Sequence, residues 1–421
     1  MGTATGEASP SSLAEFRRGW PVLLAALLGS ATGISVLPFY TLGTFIGPLQ
    51  AEFGWGRGAI ATSYLYTTLV LAVVAPLLGM LADRFGVRRV SLVAIPLFAV
   101  SLLLLGAFQG SLLHFQFAFG LMGLLGAGAT PVNYTRAVNA AFHRARGMAL
   151  GISLAGIGVA AMVLPVLLSS VNGAYGWRAG YLTLAVLALL PWPFVLLAFP
   201  RHLPPTGAQR QAAAATALRS GTYWAMVLAF AAVAVAVSAL IVHLVPLLRD
   251  AGLDAMGAAR TASLVGVGVL VGRLAAGYLV DRLFAPLVAA LFFAGAAAGC
   301  LLLAVGGVGL APVAALAIGL SLGAEVDFMA FLTARYFGLA RYATNYGVLY
   351  ALFVLGGAVG PFLAGMSFDR TGNYAAVIWG VVALLLVAAA IMARLPRFAD
   401  GAAEAEQPLV AEATGTHRFA G

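Results

Sequence analysis

Apolar residues in this chain follow neither the two-residue alternation of a half-buried strand nor the narrow stripe of a soluble helix. They run in blocks of about twenty, separated by short clusters of Arg, Pro and Gly. A helix of that length crosses roughly 30 Å of hydrocarbon, and it satisfies its own backbone hydrogen bonds where no water is available to do so. The blocks predict twelve transmembrane helices, near 20–47, 58–80, 90–108, 112–140, 147–170, 179–199, 222–248, 260–280, 286–306, 311–334, 345–367 and 375–394. The expected fold class is therefore an all-α membrane protein.

Composition agrees. The chain is 62% hydrophobic and only 9% charged, with a mean hydropathy of +1.00, values that belong in a bilayer. The net charge of +9 would point to nucleic acid in a soluble protein. Here the basic residues crowd the loops, where they report orientation, so no nucleic-acid partner is expected. All 23 basic residues are Arg, and Lys is absent. Sixteen of them fall on the side of the amino terminus and five (Arg57, Arg178, Arg249, Arg260 and Arg370) on the other. The positive-inside rule then places both termini in the cytoplasm of a multi-pass inner (plasma) membrane protein. Trp20, Trp55, Trp177 and Trp224 stand at predicted helix ends as interfacial anchors. The apolar run from Trp20 is too long for a signal-peptide core and reads as a retained first helix. The single cysteine, Cys300, cannot form an intrachain disulfide.

Residues 200–221, rich in Pro, polar residues and Arg, read as a cytoplasmic linker between two six-helix halves, 20–199 and 222–397. Residues 1–19 form a short cytoplasmic segment, and 398–421 a polar, Ala/Gly-rich cytoplasmic tail expected to be disordered. The halves repeat. Gly79-Met-Leu-Ala-Asp83-Arg84 and Gly277-Tyr-Leu-Val-Asp281-Arg282 are both G-x-L-x-D-R, and the same offset carries Pro48 onto Pro246. Parallel repeats around a central pathway are an architecture of secondary transporters.

The loop GMLADRFGVRR, Gly79 to Arg89, resembles the signature of the major facilitator superfamily, and the resemblance extends over all twelve helices. RGMALGISLAGIGVA (Arg146 to Ala160), GWR (Gly176 to Arg178), VGRLAAGYLVDR (Val271 to Arg282) and GAEVDFMAFLTARYFG (Gly323 to Gly338) look like bacterial relatives of the monocarboxylate and oxalate/formate transporters. The resemblance implies two pseudo-symmetric six-helix bundles, alternating access, and a carboxylate-binding arginine on the eighth helix, for which Arg273 is the match. It also implies a cytoplasmic gate at Gly79, Asp83, Arg84 and Arg88. Many members carry a second cation, a Lys, on the first or eleventh helix, whereas this chain has no Lys and an uncharged 345–367. A monocarboxylate is favoured over a dicarboxylate.

Arg273 falls close to mid-depth, too far from either surface to snorkel. It is either an anion site, with its planar fork on a carboxylate, or half of a permanent ion pair with an acid of the tenth helix. Glu325 and Asp327 are two residues apart, about 200° around a helix, so they cannot face one cavity together. Both are candidates for proton coupling; the expectation is that Glu325 meets Arg273 and is proton-linked, while Asp327 buttresses packing or the inner gate through Arg335 or helix-end donors. Each is otherwise a structural feature of its helix. His243 either relays protons and touches substrate or satisfies a backbone partner. Tyr40, Tyr66 and Asn133, with Tyr64, are candidate substrate contacts or packing residues. Arg136, near the inner end of its helix, joins Asp83, Arg84 and Arg88 at the gate, with Asp281 and Arg282 as the counterpart in the second half.

Gly319-Leu-Ser321-Leu-Gly323 matches G-x-S-x-G, but in mid-helix it lacks the strand-to-helix turn of a nucleophile elbow. No enzyme, cofactor or metal site is expected. The function predicted is a secondary transporter of small organic anions, monocarboxylates foremost, by alternating access with proton symport, acting as a monomer. Its partners are the anion, the lipid bilayer, and protons or a counter-anion. An oxalate/formate-type exchanger, a drug effluxer of the same superfamily and a transport-dead sensor are the alternatives.

Overall fold

The computed structural model describes residues 12–142, 145–200, 219–338 and 342–398, and every regular element among them is helical. In the first half these are α1 (Ser12–Thr32), α2 (Leu37–Phe53), α3 (Arg57–Phe85), α4 (Val87–Gly106), α5 (Leu112–Leu125), α6 (Pro131–Ala141), α7 (Arg146–Tyr175), α8 (Trp177–Leu189) and α9 (Pro191–Ala198). The second half contains α10 (Gly221–Asp250), α11 (Ala255–Val280), α12 (Ala285–Gly306), α13 (Ala311–Phe337), α14 (Tyr342–Thr371) and α15 (Ala375–Ala393). Among the described residues, eleven runs are long and apolar enough to cross a membrane, with α1–α2 and α8–α9 each forming one run. Most of the predicted linker, residues 201–218, lies outside the described residues. So do residues 1–11, residues 399–421 of the tail, and Arg144 and Arg341 of the arginine count.

Two segments predicted as single helices carry breaks of several residues, and the one at 179–199 is divided at Leu190 alone. The run at 20–47 is interrupted after Thr32, and that at 112–140 between Leu125 and Pro131. Thr130, ahead of Pro131, is extended, as a residue before proline prefers. The two breaks meet. Ile34 N donates to Ala129 O at 3.1 Å, and a Cβ on Gly33 would lie 2.6 Å from that same oxygen. Ile34 and Ala129 are each 1% exposed, and irregular backbone at membrane depth is tolerated when protein surrounds it and satisfies it.

The buried apolar residues form three clusters. One is drawn from residues 223–395 alone, and the other two from residues 22–199 with Val242 as the sole addition. The halves meet along three helix pairs, α2 with α10, α3 with α14 and α7 with α11. This seam is not uniform along its length. Toward the end where α3 begins it is backbone against backbone: a Cβ on Gly43 would lie 2.4 Å from Val242 O, one on Gly58 2.7 Å from Met366 N, and one on Gly266 2.2 Å from Met162 N. Toward the opposite end, the same or partner helices carry Gly79, Gly151, Gly277 and Gly347, each with nothing within 4 Å of a Cβ position. The halves are therefore pressed together at the Arg57 end and parted at the Asp83 end.

Polar contacts hold the closed end. α3 begins after Gly56, which has no side chain to cap it. Its cap comes from the other half: Asp369 accepts from Arg57 N and from Gly58 N, both at 2.8 Å, where the positive end of the helix dipole favours a carboxylate. The Arg57 side chain grips Asp250 with both Nη atoms, at 2.5 and 2.9 Å, and donates through Nε to Gln50 Oε1 at 2.9 Å. Its guanidinium also lies 3.8 Å from the Phe368 ring centre, and Nη1 donates to Tyr374 Oη at 2.9 Å. Such bidentate, charge-assisted contacts are the strong ones, and this one spans both halves.

Two predictions follow from the seam. Gly266→Ala should lower the midpoint of thermal unfolding in detergent, through overpacking worth about 1–3 kcal/mol, while Gly277→Ala should leave it unchanged. Asp369→Ala should weaken closure at the Arg57 end by about 1–2 kcal/mol, roughly a factor of 5 to 30. In a Cys300→Ser background carrying Tyr350→Cys, a membrane-impermeant thiol reagent applied from that end should then react faster by a factor in that range.

Candidate functional site

The close approach of α11 and α13 builds the site. A Cβ on Gly272 would lie 2.2 Å from Leu320 O, and one on Gly323 2.2 Å from Val269 O; Gly268 and Gly319 repeat the contact one turn earlier. Small residues four apart let two membrane helices touch along their backbones. Arg273, next in the chain after Gly272, is thereby carried onto α13. Its Nε stands 3.5 Å from Asp327 Oδ2 and 3.5 Å from Gly323 O. The Arg273 side chain is 20% exposed and that of Asp327 41%.

The acid facing Arg273 is therefore Asp327, and the predicted pairing of Arg273 with Glu325 is corrected. The reason is rotational. Two positions along a helix is more than half a turn, so only one of the two carboxylates can point at α11. Glu325 is fully buried, with Ser321 Oγ donating to its Oε1 at 3.3 Å. Asp327 accordingly pairs with Arg273 instead of buttressing the inner gate through Arg335. Two buried polar atoms here, Arg273 Nη1 and Glu325 Oε2, have no hydrogen-bond partner among the described residues. Buried charge of this kind inside a membrane helix marks a functional position by default.

Tyrosines from both halves surround the charges. The Tyr40 hydroxyl, on α2, lies in electrostatic range of Arg273, Glu325 and Tyr64. Tyr64, on α3, packs with Phe39 at 5.8 Å between ring centres and lies in range of Tyr350 on α14. Tyr346, one turn before Tyr350, lies in range of Asp327. Arg273, Asp327, Glu325, Tyr40, Tyr64, Tyr346 and Tyr350 thus gather where α2, α3, α11, α13 and α14 converge.

Three predicted substrate contacts lie elsewhere. Tyr66 shares a stripe of α3 with Leu69, Val73, Leu77 and Met80, all exposed. Their spacing of three and four puts them on one outward face, about 200° from Tyr64. Asn133 is buried at the break before α6, where Nδ2 donates to Gly128 O at 2.9 Å; it satisfies a carbonyl that the interrupted helix leaves open. His243 is fully buried in the closed end, with Nε2 2.9 Å from Pro361 O and Nδ1 2.9 Å from Tyr374 Oη. A carbonyl can only accept, so Nε2 carries the proton, and Nδ1 accepts from the tyrosine that Arg57 also contacts. Both ring nitrogens are engaged, and His243 belongs to the Arg57 network.

At the parted end, Asp83 pairs with Arg136, and Arg88 Nη2 donates to Leu196 O at 2.6 Å. Arg282 donates to Tyr278 O at 3.2 Å and covers that residue's ring. Each contact stays inside its own half. Arg84 and Asp281 are exposed, and Gly79 faces open space. Glu15, which carried no prediction, accepts from Ala145 N at 3.0 Å at the start of α7.

The sequence reading also passed over Asp250 and Asp369, and counted Arg57 only as a loop charge. No local pattern reveals a cap supplied from 312 positions away. Tyr346 and Tyr350 did leave a signal: with Tyr342 they recur every four residues, which puts three aromatic rings on one helix face.

The Major Facilitator Superfamily description matches residues 28–361. Among curated proteins, the chain is 30% identical to human monocarboxylate transporter 11 over 90% of this chain and 83% of that one. It is 28% identical to monocarboxylate transporter 13 of Bos taurus, over 94% of each. Among solved structures, a D-xylose-proton symporter superposes with a TM-score of 0.68 at 15% identity, covering 91% of this chain and 98% of that one.

Proposed function

The chain belongs to the major facilitator superfamily, and from that premise we propose that it carries small organic anions, monocarboxylates foremost, by alternating access with proton symport. It is a multi-pass membrane transporter rather than an enzyme. The finer reading has twelve crossings in two six-helix bundles, residues 20–199 and 222–397, with interrupted α5 and α6 together making the fourth. The separate apolar clusters of the halves and the repeated G-x-L-x-D-R loops support it. Arginine placement supports both termini on the cytoplasmic side of the inner membrane. The Asp83 end is then cytoplasmic, and a seam closed at Arg57 and parted at Gly79 and Gly277 describes an inward-facing carrier. In that reading the contacts of Asp83, Arg84, Arg88, Arg136, Asp281 and Arg282 rearrange when the halves close on the cytoplasmic side.

One observation carries the substrate class. Arg273 makes only long contacts through Nε, 3.5 Å to Asp327 and 3.5 Å to Gly323 O, and its Nη1 is unpartnered among the described residues. A guanidinium has five donors in a planar fork, and a carboxylate fits two of them side by side. An arriving anion takes the fork and displaces Asp327. A carboxylate stripped of its cationic partner in an apolar surrounding is stabilised by a proton, so anion and proton enter together. Tyr40, within electrostatic range of both Arg273 and Glu325, offers a hydroxyl to the same guest. Asp327 is partly exposed and can exchange protons with water, whereas Glu325 is enclosed. Asp327 is therefore the proton-carrying acid, and Glu325 poises the site with Ser321.

Purified protein in proteoliposomes, given labelled lactate, pyruvate, acetate, oxalate and formate with and without an imposed pH gradient, tests this reading. Arg273→Gln should reduce Kd-limited anion uptake by about 30-fold or more, the factor for losing a buried charge contact of about 2 kcal/mol. Full uptake by that variant rules the site out. Asp327→Asn should retain anion exchange while losing accumulation driven by the pH gradient, and Glu325→Gln should keep that accumulation. Accumulation intact in Asp327→Asn but lost in Glu325→Gln would reverse the two roles.

A further inference from the structure

α14 carries a ladder of rings. Tyr342 stacks on Tyr346 at 5.4 Å between centres and 13° between planes, Tyr346 on Tyr350 at 5.7 Å and 16°, and Tyr350 approaches Phe353 at 6.1 Å and 28°. From Tyr342 to Tyr350 the ladder rises about 12 Å along the helix. It starts at the parted end of the seam and climbs to the level of the charged cluster.

The ladder faces the interior of the protein. Gly356 and Gly360, on one flank of α14, pack against Val235 and its neighbours on α10, and Gly365, on the other, packs against Gly58 of α3. Leu355 and Leu363, each about 140° from Tyr350 around the helix, make the outward, exposed face. Tyr350 lies on the opposite side of the helix, within electrostatic range of Tyr64 of α3, and is nevertheless 37% exposed. A large aromatic side chain left uncovered on an inner wall is apolar area waiting to be removed from water. Asp327 links this wall to the cation: it faces Arg273 at 3.5 Å and lies in electrostatic range of Tyr346, whose stacked neighbour Tyr350, one helical turn on, is the uncovered ring.

Resting on the assignment of Arg273 as the anion site, we infer that the carried monocarboxylate has an aromatic body, which Tyr346 and Tyr350 of α14 and Tyr64 of α3 receive while Arg273 holds the carboxylate. A two- or three-carbon acid reaches the guanidinium but leaves the ladder uncovered. An arylalkanoate covers both. The Tyr hydroxyls let such a ring slide along a wall that also tolerates water, so the ladder serves as an entry track as well as a specificity wall.

The test compares labelled phenylacetate with labelled acetate in proteoliposomes at neutral pH, with Arg273→Gln vesicles as the background for passive permeation. The two anions share a carboxylate and differ by the ring. Arg273-dependent kcat/KM should be at least about 10-fold higher for phenylacetate, and Tyr350→Ala should lower that value about 2- to 10-fold, the range for one aromatic contact. Tyr350→Ala should lower the phenylacetate value more than the acetate value, a monodisperse elution peak and an unaltered thermal unfolding midpoint in detergent show that the variant folds, and Tyr350→Phe should retain the preference. Arg273-dependent acetate uptake, with phenylacetate neither carried nor competing, overturns the inference and leaves the anion reading standing. An equal loss of both substrates in Tyr350→Ala and Tyr346→Ala likewise overturns it, because the ladder is then packing. No difference between wild type and Arg273→Gln for either acid removes the anion reading itself.

Discussion

A guanidinium in hydrocarbon must be answered by negative charge, and Arg273 is answered only in part. Asp327 meets it through Nε at 3.5 Å, and Nη1 finds no hydrogen-bond partner among the described residues. A guanidinium left without a counter-charge between apolar helices is costly, so the site is proposed to hold one of two partners, Asp327 or another anion in its stead. In the proposed cycle the choice between those partners is what links anion to proton. The glycine contacts between α11 and α13 are what make it available, because they bring the arginine of one helix within reach of the acid on the other.

That charge is useful only if one side of the membrane reaches it at a time. The seam between the halves meets this need with two kinds of contact. At the Arg57 end, small residues let α2, α3 and α7 lie against α10, α14 and α11, and the Arg57, Asp250 and Asp369 contacts pin them. At the Asp83 end, the contacts made by Asp83, Arg88 and Arg282 stay inside their own halves. An end whose charges are paired locally can open without exposing an unpaired ion. An end pinned by a helix cap shared between halves opens only by uncapping α3, which leaves backbone N–H groups to find other partners. His243 and Tyr374 extend the pinned layer into α10 and α14, so several groups must release together.

Much of the architecture was legible from residue type alone. Apolar blocks of about twenty residues locate the crossings because lipid admits no other backbone solution than helix or closed barrel. The internal G-x-L-x-D-R repeat and the loop around Asp83 carry the family, and isolated charges such as Arg273 and Asp327 stand out because their cost in lipid demands a partner. Less was legible at the breaks after Thr32 and Leu125. Hydropathy averages over twenty residues and does not register an interruption of four or five residues that the neighbouring segment satisfies.

What residue order determined by itself was therefore depth and chemistry: which segments enter the bilayer, and that one cation and two acids lie near its middle. Which acid meets the cation, which tyrosines face inward and which end is shut were decided by tertiary structure. The physical reason is that these properties depend on helix rotation and on contacts between positions hundreds of residues apart. Glu325 and Asp327 are indistinguishable by depth, and the Gly272–Leu320 and Gly323–Val269 contacts choose between them by setting which face of α13 lies on α11. Tyr64 and Tyr66 differ by two positions, and the packing of α3 against α14 turns one toward Tyr350 and the charged cluster and the other to the exposed face. Asp369 caps α3 only because the two halves have come together.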